Sequence, residues 1–234
     1  MITSKETVVY QLLRGRSNSF LVVTREGKSV LVDTSVKQMR CCLMKELKRH
    51  EVPNPDYLVL THHHYDHVSN AAFIRSETGA MTVMHSSEAG YLESGTMKIP
   101  EGSLAITRAM VKLAHKLNFK FNIEPCPVDI IVEEEFKLAG IPGIKTLYTP
   151  GHSNGSISLI VDDEIAIVGD VMVNVALFKI FPPFADDIPL LHKTWQKLLR
   201  TGCHTFIPAH GNPVTRENLK LKTQKRASLL NSNH

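Results

Sequence analysis

Three observations predict a mixed α/β fold. Short apolar runs alternate with stretches of helical periodicity in both halves of the chain. Ligand-type residues recur just after those runs, where open α/β sheets present their chemistry. The 234 residues, 43% of them hydrophobic, suffice for one large core without disulfide staples.

The N-terminal third reads as strands Val8 to Arg14, Phe20 to Thr24 and Ser29 to Thr34, separated by Gly and Ser/Asn punctuation. Met39, Leu43 and Leu47 recur every four residues and predict a helix over Val36 to His50, which Pro53 and Pro55 end. Tyr57 to Thr61 is a buried-type strand running directly into His62. A helix over Asn70 to Thr78 and a strand over Met81 to His85 follow.

The second half repeats this grammar. Strands are predicted at Asp129 to Glu133, Lys145 to Thr149, Ile157 to Asp162, Ile165 to Gly169 and His204 to Pro208. Helices are predicted at Leu190 to Thr201, capped by Asp186 or Asp187, and at Thr215 to Leu230. No linker-like stretch divides the chain, so one domain is expected over 1–234. Ser86 to Pro127 reads as an inserted helical segment. Within it Ile106, Met110, Leu113 and Leu117 form an apolar stripe, with Ser103 as N-cap and Arg108, Lys112 and Lys116 on the opposite face. That pattern fits a surface helix, or a lid presenting cations to an acidic substrate.

Composition excludes several classes. The longest apolar runs, such as Ile157 to Val161, fall far short of the ~20 residues of a membrane span. The N-terminus has no basic stretch leading into an apolar one, so a cytoplasmic protein is expected. Cys41 and Cys42 are adjacent, Cys126 and Cys203 stand alone, and no pair has C-x-x-C spacing, which excludes a cysteine zinc site. The net charge of +4 is mild, and no basic run argues for nucleic acid as partner. A small-molecule substrate, tilted toward an anionic one, is expected; a homo-oligomer is left open. Twelve histidines are the anomaly.

Their placement carries the chemistry. His62 and His64 lie two apart on the segment leaving a strand, so both project the same way, and Asp66 and His67 follow at once. Imidazole and carboxylate donors at this density suit zinc, iron or manganese. His152, Asp170 and His210 each come just beyond a predicted strand and beside a glycine. Asp33, at the end of its strand, and Ser153, beside His152, are candidates for orienting ligand imidazoles.

The set His62, His64, Asp66, His67, His152, Asp170 and His210 resembles the metallo-β-lactamase superfamily, whose signature is H-x-H-x-D-H followed by His, Asp and His after later strands. The resemblance covers nearly the whole chain. It implies a four-layer αββα sandwich and two divalent metal ions, zinc first, with iron or manganese as alternatives. By position, His62, His64 and His152 hold the first ion, Asp66, His67 and His210 the second, and Asp170 bridges them. His63 occupies a spacer position. Two such ions ~3.5–4 Å apart share a bridging water and lower its pKa toward ~7, making a hydroxide that attacks an ester, thioester or lactone. Asp66 and Asp170 are then the catalytic carboxylates.

Within the superfamily, an Asp at position 170 argues against β-lactam hydrolysis. The metal set is similar to that of glyoxalase II-like thioesterases, but only 24 residues follow His210, too few for that enzyme's helical glutathione-binding domain. Lys179 falls where those enzymes hold a basic residue for glutathione, and Phe178 and Phe181 are candidate apolar substrate contacts. Homoserine-lactone lactonases carry a Tyr three residues after the bridging Asp; Val173 stands here. An iron persulfide dioxygenase and a phosphodiesterase or ribonuclease of the same fold are the alternative functions.

Overall fold

The computed structural model describes residues 1–175 and 180–231, with side chains as far as residue 225. Strands β1 (Ile2–Thr3), β2 (Thr7–Leu13), β3 (Ser19–Thr24) and β4 (Ser29–Val32) form an antiparallel meander. Helix α1 (Arg40–Arg49) then crosses to β5 (Tyr57–Val59), which runs parallel to β4. The short α2 (Tyr65–Val68) and α3 (Ala71–Thr78) lead to β6 (Met81–His85). Helices α4 (Ser86–Ser94) and α5 (Ala105–Lys116) lead to β7 (Ile130–Val132), and both strands extend the sheet in parallel.

The second sheet begins with antiparallel β8 (Glu135–Lys137), β9 (Ile144–Tyr148), β10 (Ile157–Val161) and β11 (Ile165–Gly169). Helix α6 (Ile188–Arg200) crosses to β12 (Thr205–Pro208), parallel to β11. Edge strand β13 (Val214–Thr215) and helix α7 (Arg216–Asn231) close the order.

Two-residue alternation along the strands builds three apolar layers from this order. Val22, Val30, Val32 and Val59 face Ile157, Leu159, Ile165 and Ile167 between the sheets. Their neighbours Leu21, Leu31 and Leu58 point the other way and meet Leu43 and Leu47 of α1 and Ile74 of α3. On the far sheet, Ile160, Ala166, Val168 and Phe206 meet Leu191, Trp195 and Leu198 of α6 and Leu219 of α7. Three apolar layers between helices, two sheets and helices make the four-layer αββα sandwich. Each fully buried Leu, Ile or Val in these layers contributes roughly 1.5–3 kcal/mol.

The structure departs from expectation in three places. Helix α1 begins at Arg40, after a tight turn over Lys37–Met39. Strands β1, β8 and β13, too short to show a period, are absent from the sequence-based expectation. In the inserted segment, α4 packs Ala89 and Leu92 into the fold, whereas α5 buries only Thr107 and Val111. Its N-cap is Leu104, not Ser103, whose hydroxyl instead donates to the Pro182 carbonyl at 2.6 Å. Asp187 caps α6 through the Leu190 N–H at 2.8 Å. No described helix is long and apolar enough to cross a membrane.

Candidate metal centre

Parallel β4 and β5 in one sheet, and parallel β11 and β12 in the other, deliver their C-terminal loops to one edge of the sandwich. His62 and His64 leave β5, with Asp66 and His67 on the single turn of α2. His152 follows β9, Asp170 follows β11 and His210 follows β12. Gly151 and Gly169 have φ of +121° and +53°. A Cβ on Gly151 would lie 2.4 Å from the Leu191 nitrogen, and one on Gly169 2.7 Å from Thr61 Oγ1. Both the backbone conformation and the space therefore require glycine immediately before a ligand-type residue.

The side chains converge. His152 Nε2 lies 3.2 Å from His62 Nε2 and 2.9 Å from His64 Nδ1. His210 Nε2 is 3.3 Å from both Asp66 Oδ2 and Asp170 Oδ2, and His67 Nε2 is 3.7 Å from Asp66 Oδ1. Asp170 reaches both groups: its Oδ2 is 3.8 Å from His152 Nε2 and its Oδ1 is 3.5 Å from His67 Nε2. Ligands at about 2.0–2.1 Å from a tetrahedral ion stand roughly 3.3 Å apart, so these separations fit a shared cation. Within the protein, the buried His67 Nε2 and Asp170 Oδ1 lack a hydrogen-bond partner, an arrangement that costs free energy unless something polar meets them.

Partners behind the site fix which nitrogen points inward. Asp33, with φ of +57°, accepts from the Thr61 N–H, the Thr61 hydroxyl and His67 Nδ1–H, each at 2.8 Å. Thr61 Oγ1 is 3.0 Å from His62 Nδ1, and the Phe184 carbonyl is 3.0 Å from His152 Nδ1. With these Nδ1 atoms as donors, the Nε2 lone pairs of His62, His67 and His152 face the centre. Ser153 touches no ligand imidazole; it bonds Ser156.

Charge divides the cluster. Burial, then the neighbouring imidazoles, hold His62 and His64 well below the ordinary value. Burial also lowers His152, against the pull of Asp170. His67 and His210 go the other way. Burial opposes the change, but Asp66, Asp170 and Asp33 raise His67, while Asp170 and Asp66 raise His210 to about 10. Burial likewise resists ionisation of Asp66 and Asp170, yet His67 and His210 hold both carboxyls below their usual range. Neutral imidazoles and ionised carboxylates are the forms that bind metal, and a cation taking the positive charge of His67 and His210 would release their protons.

Two supporting residues escaped the sequence reading. Glu88, 1% exposed, accepts from the His63 N–H at 2.7 Å and the Gly155 N–H at 2.8 Å, tying the His62–His64 loop to the His152 loop. Asn18 donates its N–H to the Ala209 carbonyl at 2.7 Å and its Nδ2 to the Pro208 and Gly211 carbonyls, clamping the His210 loop. Glu88 is an ordinary helix-start acid in sequence, and Asn18 reads as turn punctuation.

A cavity of about 760 Å³ adjoins the centre and is lined by His64, Asp66, His152, Asp170 and His210 together with apolar residues from α5 and the loops. Phe181 does not line it; the ring stands edge-on to Trp195, with centroids 6.1 Å apart, in the α6 layer. Phe184 lines it instead. Phe178 and Lys179 lie outside the described residues.

The sequence profile of the metallo-beta-lactamase superfamily matches residues 12–210, a span that holds the whole cluster. The chain belongs to that superfamily. Among curated relatives, a probable metallo-hydrolase of Methanocaldococcus jannaschii is 30% identical over 174 residues, covering 74% of this chain and 76% of the relative. Two solved structures share the fold. The B3 metallo-beta-lactamase BLEG-1 superposes with a TM-score of 0.68 at 22% identity, covering 90% of this chain and 95% of that one. TTHA1623, solved in a di-iron-bound form, superposes with a TM-score of 0.64 at 22% identity, covering 92% and 98%. Family and site together make this chain a metal-dependent hydrolase.

Proposed function

We propose that the chain is a dinuclear hydrolase of an ester, thioester or lactone, with zinc as its metal and iron or manganese as alternatives. The observation that carries this reading is Asp170, whose two oxygens reach His152 on one side and His67 and His210 on the other. His62, His64 and His152 form one triad, and Asp66, His67 and His210 another. Divalent ions held there supply Lewis acidity and a water of lowered pKa. The rest is done by the chain. Asp33 and the Phe184 carbonyl keep the Nδ1 protons of His67 and His152 in place, so their Nε2 atoms remain donors. Asp66 and Asp170 stay ionised and balance the cationic charge. The cavity offers a substrate apolar walls beside the carboxylates. A panel of thioesters, esters, lactones and phosphodiesters tests the reading: turnover confined to the first three supports it, and turnover of phosphodiesters alone overturns it.

A further inference from the structure

The stripe Ile106, Met110, Leu113 and Leu117 is the most unusual surface of the molecule. Helical periodicity of this kind ordinarily marks a buried face. Here these four side chains are 68, 58, 56 and 68% exposed, and Phe119 just beyond them is 51% exposed. Helix α5 is fastened along a different side, where Val111 is buried and Thr107 donates to the Pro183 carbonyl at 2.7 Å. At its base the Ser103 hydroxyl donates to the Pro182 carbonyl, and Gly102 pairs with Phe184 as an isolated β-bridge.

What the stripe faces decides its meaning. Met110, Leu113, Leu117 and Phe119 line the cavity beside the metal-ligand cluster, as Phe184 does. Its volume falls in the ~300–1,000 Å³ range of pockets that enclose a small organic ligand. Among the described residues, Tyr65 is the only polar lining residue outside the ligand set, and no Lys or Arg lines it. Arg108, Lys112 and Lys116 project into solvent from another side of α5. A charged substrate tail would find no counter-ion among the described walls. A flexible apolar chain finds Met97 and Met110, unbranched and adaptable, together with leucine and phenylalanine side chains.

We propose that this cavity binds the unbranched apolar acyl chain of an ester or thioester substrate, with α5 as its wall and the reacting carbonyl at the ligand cluster. The inference rests on the hydrolase reading for the reaction but not for the binding. Water adds to the acyl carbonyl, the bond from that carbon to the alcohol or thiol breaks, and the products are a carboxylic acid and the free alcohol or thiol. The Phe184 carbonyl that holds His152 sits in the loop to which the base of α5 is tied, and both Phe184 and His152 line the cavity.

Two measurements on the full chain test the proposal separately from the hydrolase reading. Across 4-nitrophenyl esters from butanoyl to decanoyl, kcat/KM rises by up to about fourfold per methylene and by at least about 30-fold overall. Calorimetric titration with sodium decanoate and sodium butanoate shows decanoate binding at least about tenfold tighter, with a negative heat-capacity change. In L113Q/L117Q, both of whose sites are more than half exposed, the decanoate-to-butanoate affinity ratio and the ester ratio each fall below about one third of their original values. Preferential decanoate binding with no ester, thioester or lactone hydrolysed sinks the hydrolase reading and leaves the cavity assignment standing. Equal affinity for the two acids, or a ratio unmoved in L113Q/L117Q, overturns the cavity assignment whether or not esters are cleaved.

Discussion

Of the two regions that meet at the cavity, the strand-end loops bury His62, His67 and His152 to 2% exposure or less. Helix α5 leaves Met110, Leu113 and Leu117 more than half exposed. The loops are over-determined: Asp33, Thr61, Glu88, Asn18 and the Phe184 carbonyl each fix a ligand or the backbone beside one. The helix is secured by Thr107, Val111 and the bonds at its base. The difference teaches where stability and chemistry are coupled. Substitutions behind the ligands disturb fold and site together, whereas substitutions on the α5 stripe change what the cavity accepts and little else.

The largest break in that contrast comes from Asp170, which lies within 3.8 Å of members of both triads. Asp170→Ala is expected to lower kcat/KM by at least about 10³-fold, some 4 kcal/mol of transition-state stabilisation, while a circular-dichroism melt still shows a cooperative transition. Retained turnover would detach the reaction from the cluster. Glu88→Ala comes next. It strands two buried N–H groups, and the urea-unfolding free energy should drop by about 3 kcal/mol. A loss below about 1 kcal/mol would show that Glu88 does not join the two loops.

Asp33→Asn removes one of the acceptor oxygens shared by Thr61 and His67, and zinc affinity, measured by competition with a chromophoric chelator, should weaken about 10–100-fold. An acid-base limb sharpens the same point in chelator-treated protein. His67 and His210 are raised, so their stabilising contribution is present below 6.5 and lost as pH climbs through their raised values, about 10 for His210. Asp66 and Asp170 are lowered, so theirs is present above 3.8 and lost as pH falls through their depressed values. Urea midpoints across pH should trace this window, and added zinc should remove the alkaline loss by replacing the histidine protons. At the small end, L113Q/L117Q should change the urea midpoint by the equivalent of only about 0.5 kcal/mol per site.

Much of this architecture was legible in sequence because burial imposes a period. Val22 and Leu21, or Val59 and Leu58, alternate between two apolar layers, and the resulting strand lengths place the ligand-type residues at strand ends. Asp33 was legible as a strand-end carboxylate. What sequence does not carry is the direction in which a periodic face looks. The α5 stripe has the spacing of a buried surface, and only the three-dimensional path of residues 95–125 turns it toward the cavity rather than the core. Glu88 and Asn18 were hidden for a related reason: each satisfies backbone groups distant in sequence, 25 and 67 residues away for Glu88 and 190 or more for Asn18, and such pairings leave no local pattern. Phe181 illustrates the converse, a loop aromatic beside the site whose ring is taken up by Trp195.

Asp170 stands between the two ligand triads, within 3.8 Å of His152, His67 and His210. Elemental analysis of freshly purified wild-type protein and of Asp170→Ala tests that position as a bridge most directly. A dinuclear centre joined by Asp170 holds two divalent ions per chain in the wild type and one or fewer in the variant. A wild-type chain holding a single ion, or a variant that keeps two, would contradict it.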